Sequence, residues 1–507
     1  MLITRGIGRL IEPLTGRAWE PREIFNRYHT RVIYFARCGV SQRDRIFLHH
    51  GNTLEFFIDL LAIWHLGACA IPVDNRLTPF QLTTLAHAAN PKLSVWKELP
   101  SNEATRALSS VGVSIVPSVE RSAVSIEADN CPRSAYLLDD DALILFTSGT
   151  TGNPKGVIHT HRSLHARWIS LFSSLGIKAS RKTLCFLPTH FGHGLICNCL
   201  FPWLYGQDLY VLPPFAPSIL LELGTLIDEH EITFLSSVPS IWRLVLKTSR
   251  PPTKNSLGRV LCGSAPLTET LWTSVQEWTG AKEVINAYGV TETASWLAGT
   301  TVPDARPEDG LIGVPWGGHV AIRRSSDTTV PPIWIEPCDP NEPGYVWVQT
   351  PALMKGYLNR EDLTSEVVSQ GWFSTGDIGV IDDRGYLYLR GRQREEINKG
   401  GQKIYPGDID AVVERFEEIV DVCAFSFPES LQGEEVGIAV VLRSPSDDVL
   451  VRLYRWTSEH LAVHQIPKRW YVVQEIPRTS RGKVNRREMA KLCDRMNPVS
   501  FAKRLQE

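Results

Sequence analysis

At 507 residues the chain exceeds what a single core supports, so two to four domains are expected. Hydrophobic residues at 43% and charged residues at 21% describe an ordinary globular composition. With 53 basic against 55 acidic residues the formal charge is -2, which supplies no general field for nucleic acid or an anionic membrane, so any bound anion must be held by a local arrangement.

The opening run "MLITRGIGRLIEPLTGRAW" has no continuous apolar core ending in a small-residue cleavage site, which argues against a secretory signal. From Pro21, Ile24, Tyr28, Val32 and Phe35 recur at spacings of three and four between a proline and Gly39, the pattern of an amphipathic helix with its stop signal. "FFIDLLAIWHLGACAIPV" carries Asp59 and His65 and ends at a proline, so it reads as a buried helix running into a strand, not a membrane span. "DRIFLHH", "ACAIPV", "ALILFT", "KTLCFLP", "DLYVLP", "ITFLSSVP" and "GRVLCG" are short β-rich runs between helical stretches, which predicts an α/β sheet architecture. Beyond about residue 310 the texture becomes hairpin-like, with "DDRG" joining two strands. After the charged connector "GRQREE" comes a small α+β unit: helix "DIDAVVERFEEI", strands "DVCAFSF" and "EVGIAVVL", a second helix, and strand "RWYVVQEIP".

The ten cysteines show no CxxC pair, which fits reduced thiols in a cytoplasmic chain; Cys197 and Cys199 sit in an apolar stretch and read as core. The loop "FTSGTTGNPKG", residues 146–156, follows a buried-strand pattern. Its glycines let backbone N–H groups converge, and its hydroxyls and Lys155 suit phosphate oxygens. It fails the Walker A spacing, because five residues after Gly149 comes Pro154. On its own residues the loop is equally compatible with phosphate binding and with a plain connecting turn.

This loop nevertheless resembles the phosphate loop of the adenylate-forming superfamily, which includes acyl-CoA synthetases, nonribosomal peptide synthetase adenylation domains and luciferases. The blocks that follow it, in that family's order, are "CGSAPL" at 262, "NAYGVTET" at 286, "STGDIG" at 374, "GRQREEINKGGQKIYPGDID" at 391 and "PRTSRGKVNRRE" at 477. The resemblance covers nearly the whole chain and is nearest to acid–CoA ligases. It implies a large N-terminal AMP-binding domain of mixed α/β sheets over residues 1–391, a hinge at 392–395, and a small mobile α+β domain over 396–507. The implied activity is ATP-dependent conversion of a carboxylic acid to an acyl adenylate, followed by thioester formation with coenzyme A.

The family's roles carry over residue by residue. Thr147, Ser148, Gly149, Thr150, Thr151, Gly152 and Lys155 would grip the β- and γ-phosphates of ATP. Gly263, Ser264 and Ala265 would line the adenine site, with Tyr288 and Gly289 against the base. Thr291 would contact the α-phosphate and Glu292 would hold magnesium, a hard cation suited to carboxylate oxygen. Asp377 would take the ribose hydroxyls with Arg392 beside it, and Lys483 would bridge the acid and the α-phosphate. Arg394 stands at the hinge where the family usually has aspartate or lysine. Gly401 and Lys403 would serve the second step, at the thiol tunnel and the adenylate phosphate.

The pattern breaks at the acyl pocket. "LPTHFGHG" puts Phe191 where relatives keep a histidine, with His190 before it and His193 after; these residues and Trp296 are candidate pocket lining. "SSVPSIW", residues 236–242, is a candidate wall. The histidine pairs His190/His193 and His159/His161 lack a nearby third ligand and read as lining or packing. No aspartate marks an amino-acid substrate in "PTHFGHG", so a plain carboxylic acid is expected. The alternatives are an adenylation enzyme that loads a carrier-protein phosphopantetheine or an amine, and a catalytically silent nucleotide-binding protein.

Overall fold

The computed structural model describes residues 6–118, 131–134, 136–147, 155–214, 217–302, 305–399, 402–430, 433–479 and 482–499. It is a mixed α/β protein with a large N-terminal part built on two sheets and a smaller C-terminal part built on a third. The seven β-rich runs all form strands, from Arg45–His49 to Arg259–Gly263.

In the 7-stranded sheet, Cys69–Pro72, Arg45–His49, Leu93–Trp96 and Ser114–Pro117 run parallel, and Asp141–Thr147 joins beside Cys69–Pro72. Helix Leu54–His65 is buried along nearly its whole length. It tolerates Asp59 because Arg31 and His50 both reach the carboxylate, at 2.5 and 2.8 Å; a buried charge requires such partners. As the sequence suggests, this helix runs on into strand Cys69–Pro72, and among the described residues no helix is long and apolar enough to cross a membrane.

In the 14-stranded sheet, Asp208–Val211, Lys182–Cys185, Phe234–Ser237, Arg259–Gly263 and Glu283–Val290 lie parallel and side by side. The sheet then turns antiparallel through Ser295–Gly299, Leu311–Pro315, Leu387–Arg392, Trp372–Ile381 and Gly344–Gln349. The largest buried cluster of apolar side chains spans both sheets.

The third sheet starts at Ile397, past the short 3-10 turn Gln393–Glu395, and has its own apolar core. Here the sequence pattern misleads over one element. The helix expected over 408–419 is Pro406–Glu414, and Ile419 already opens the long strand Ile419–Glu429. Burying Ile419 opposite Leu442 outweighs one more helical turn.

Candidate active site

Strand Lys155–Thr160 pairs antiparallel with Asp141–Thr147, and Thr147 stands opposite Lys155. The phosphate-loop motif therefore joins two strands of a hairpin and does not lead from a strand into a helix. Ser148, Gly149, Thr150, Thr151 and Gly152 lie outside the described residues.

Alternation along this strand puts Lys155, Val157 and His159 on one face. Lys155 Nζ sits 5.0 Å from the centre of the Tyr357 ring. His159 Nε2 donates to the carbonyl of Thr291 at 2.8 Å, and burial pushes this imidazole down to about 4, so it is neutral near pH 7. The Tyr357 hydroxyl donates to Glu292 Oε1 at 2.8 Å, and Met354 N–H donates to the Glu292 carbonyl at 2.7 Å. Thr291 and Glu292 are thus held in the 3-10 turn Thr291–Thr293 from two directions. Underneath, the buried Arg167 guanidinium donates to the carbonyls of Thr293 and Trp316 at 2.9–3.2 Å, and burial lowers it to about 10.

A second cluster forms on the hairpin Trp372–Ile381/Leu387–Arg392. From the turn upward Val380 faces Tyr388 and Gly379 faces Leu389; past a one-residue bulge Ile378 faces Gly391 and Asp377 faces Arg392. Without the bulge Asp377 would oppose Gly391. Arg392 Nε lies 2.9 Å from Asp377 Oδ1, and the Tyr288 hydroxyl donates to Asp377 Oδ2 at 2.5 Å. Burial, reinforced by the Asp377 charge, holds the Tyr288 phenol well above its ordinary range, so it remains a donor.

Gly289 and Gly263 are needed for close approach. A Cβ on Gly289 would lie 1.9 Å from the carbonyl oxygen of Ser295, and one on Gly263 would lie 2.3 Å from that of Ala287. Ser264, next in the strip and followed by half-buried Ala265, adopts φ +69°.

His193 connects Ser264 to the acyl-pocket wall. It opens the buried π-helix His193–Leu200, which also buries Cys197 and Cys199. Ser236 donates to the Leu261 carbonyl at 3.3 Å, so it accepts from His193 Nε2 at 2.6 Å, and Ser264 donates to Nδ1 at 2.9 Å. Burial lowers His193 to about 3, consistent with a neutral ring whose nitrogens are both engaged. Trp296 packs edge-on to His193 at 5.1 Å, and Phe191 lies 5.7 Å from the same ring. His190 takes another direction, lying 3.5 Å from Asp74 beyond strand Cys69–Pro72.

The C-terminal part meets this wall at one helix. In Pro239–Thr248, Ser240 faces the Lys483 turn so closely that a Cβ on Gly482 would sit 2.3 Å from its hydroxyl. Three residues on, Arg243 reaches Glu414 of helix Pro406–Glu414 at 2.6 Å. Arg415 adds contacts of 2.5 Å to Asp309 and 3.0 Å to Glu269. Lys403 lies elsewhere, 3.5 Å from Glu396 and 5.4 Å from the Tyr345 ring centre; Gly401 is outside the described residues, and Arg394 is exposed in the turn Gln393–Glu395.

The structure thus brings together Lys155, Thr291 and Glu292; Tyr288, Asp377 and Arg392; and Ser264, His193 and Trp296. It adds Tyr357, His159, Arg167 and Ser236, which the sequence reading did not single out for these roles. Among the described residues no three His, Cys, Asp or Glu side chains gather as a metal centre of their own. Glu292 still suits a hard divalent cation: it is half-buried, and Tyr357 engages only one of its oxygens among the described residues.

A family model described as "AMP-binding enzyme" matches residues 31–358, and one described as "AMP-binding enzyme C-terminal domain" matches 408–483. The chain is 30% identical to an oxalate–CoA ligase of Arabidopsis thaliana over 482 residues, covering 92% of this chain and 91% of that one. It is 27% identical to a long-chain-fatty-acid–CoA ligase of Mycobacterium tuberculosis over 88% of this chain and 87% of that one. The crystal structure of ATP-bound MatB from Rhodopseudomonas palustris superposes with TM-score 0.83 at 23% identity, covering 97% of both chains.

Proposed function

The chain belongs to the AMP-binding enzyme family, and from that premise we propose that it is an ATP-dependent acid–CoA ligase that forms AMP. The observation that carries this reading is the presence together of three groups: the Tyr288–Asp377–Arg392 cluster, the Lys155–Tyr357–Glu292 cluster, and the Lys483 turn against Ser240. Together they would provide a nucleoside anchor, cationic and carboxylate handles for polyphosphate, and a lysine carried on the turn that packs against the acyl-wall helix.

In the first step a carboxylate oxygen of the acid attacks the α-phosphorus of ATP. A C(O)O–P bond forms, the bond between the α-phosphorus and the bridging oxygen breaks, and pyrophosphate leaves with the electron pair. No general base is needed, because the acid is already ionised near pH 7. What the protein must supply is positive charge around the phosphates. Lys155 would serve the leaving pyrophosphate, Lys483 the carboxylate and α-phosphate, and Thr291 the α-phosphate oxygens. Glu292 would hold magnesium, which when bound would further neutralise phosphate charge. In the second step the coenzyme A sulfur, its proton lost to solvent, attacks the acyl carbon; a C–S bond forms, the bond between the acyl carbon and the phosphate oxygen breaks, and AMP departs with that electron pair. We assign residues 392–395 as the hinge that exchanges Lys483 for the segment 401–403 between the steps. We further place the protein in the cytoplasm, a compartment that suits its ten unpaired cysteines.

The test is ATP–pyrophosphate exchange over a panel of aliphatic, aromatic and dicarboxylic acids, repeated with coenzyme A and mass detection of products. Acid-dependent exchange with an acyl-CoA product is expected. Exchange that never yields an acyl-CoA would overturn the choice of acceptor, and failure of every acid would overturn the ligase assignment.

A further inference from the structure

Lys155 and Glu292 carry opposite charges beside one aromatic ring, yet neither forms an ion pair with a described residue. Tyr357 stands between them: its ring faces the Lys155 ammonium at 5.0 Å, and its hydroxyl donates to Glu292 Oε1 at 2.8 Å. We propose that Tyr357 is a positioning residue for adenylation, holding the two charges apart so that one ATP molecule and its cation meet both. The inference rests on the ligase reading but concerns a residue to which the two steps above assign no part.

Two observations support it. The segment Met354–Leu358 is stitched to both charged elements. Lys355 and Leu358 donate to the carbonyls of Ile158 and Gly156 on the strand that carries Lys155, while Met354 donates to Glu292. Tyr357 itself is opposite Val157, the residue between Lys155 and His159 on their shared face, so backbone register aims the ring at the site.

The alternative packing is a direct Lys155–Glu292 ion pair. It would neutralise both groups before nucleotide arrived, and ATP would have to break it. An aromatic face attracts the ammonium without cancelling its charge, and a phenol donor orients a carboxylate without removing its negative charge.

The experiment is calorimetric binding of ATP to the full-length protein across a magnesium series, which needs no knowledge of the acid. For Tyr357→Phe, which keeps the ring and loses the hydroxyl, magnesium-free ATP affinity is expected to stay within about twofold. The magnesium concentration for half-maximal enhancement should rise about tenfold, the worth of one hydrogen bond to a charged group. Tyr357→Leu should also weaken magnesium-free ATP binding about threefold, and this extra loss should vanish when Lys155 is already methionine. Wild-type magnesium dependence in Tyr357→Phe would overturn the proposal, as would a Tyr357→Leu loss independent of Lys155. Should Tyr357→Leu not fold, Tyr357→Phe alone decides. If the wild-type protein binds ATP with a magnesium response but exchanges pyrophosphate with no acid, the ligase reading fails while the role of Tyr357 is still decided by the binding series.

Discussion

Replacing Glu414 by glutamine tests whether the observed contact between the two parts is the adenylation arrangement. Arg243 Nε and Nη2 both reach one oxygen of Glu414, at 3.1 and 2.6 Å, with the two side chains 23% and 17% exposed. Exposed pairs contribute about 0–1 kcal/mol, and breaking a buried one costs about 3–5 kcal/mol. Because this pair is mostly but not fully buried, about 1.5–2 kcal/mol is a reasonable value between those limits. The same helix receives the Lys483 turn at Ser240, so a shift of that size lowers the docked population about 10- to 30-fold relative to undocked forms. Rapid-quench measurement of adenylate formation, alongside transfer from preformed adenylate to coenzyme A, reads the two half-reactions separately. Glu414→Gln should move their ratio about 10- to 30-fold toward transfer. Raising salt should move the wild-type ratio the same way by a smaller factor, because Arg415 pairs with Asp309 and Glu269 near the surface. Equal loss of both half-reactions, or no change in either, would refute the docking argument.

Lys483→Ala should reduce adenylation by at least about a thousandfold while leaving transfer from preformed adenylate within a few-fold, measured in the same two assays. Trp296→Ala should open the wall beside His193 and raise kcat/KM for larger acids relative to small ones by about tenfold or more, read from a homologous acid series. His193, lowered to about 3 by burial, contributes stability that is fully present above the unfolded pKa near 6.5 and is lost as pH falls toward 3. At pH 5 the loss is about 2 kcal/mol, from 1.5 pH units at 1.36 kcal/mol each, so the wild-type advantage over His193→Gln in urea unfolding should narrow by that amount between pH 7 and pH 5.

Strand identities in the two large sheets were legible because both faces are buried, which leaves short apolar runs bounded by turn residues. Asp377 and Arg392 were each readable from their motifs, and "DDRG" announced the hairpin that joins them. Their pairing was not readable, because it depends on a bulge at Ile378/Gly379 that shifts the register by one residue. Tyr357 was invisible for a different reason. It belongs to the two-residue strand Gly356–Tyr357, whose neighbours carry no cluster of chemistry, and its functional contact lies 65 residues away in sequence. His193 was found as pocket lining, but nothing local says that its two nitrogens link Ser236 to Ser264 across different strands. Residue type survives in a linear reading; a hydrogen bond between distant strands does not.

The site treats its charges in two opposite ways, and the chemistry of the nucleotide explains the difference. Asp377 is buried with Arg392 and Tyr288 already on its carboxylate, so its charge is compensated before any ligand arrives. A ribose offers neutral hydroxyls, which need an oriented acceptor and no net charge, and each carboxylate oxygen keeps a further lone pair for them. Lys155 and Glu292 are half-buried and held without ion pairs among the described residues. The triphosphate and its cation carry full charges, and an ammonium already paired with a carboxylate would have little left to give the departing pyrophosphate. Exchanging the two arrangements should therefore harm both functions. A carboxylate placed to pair with Lys155, for instance by Tyr357→Glu, is expected to reduce ATP affinity more than Tyr357→Leu does, and calorimetry showing the reverse order would contradict this account of why the ring is there.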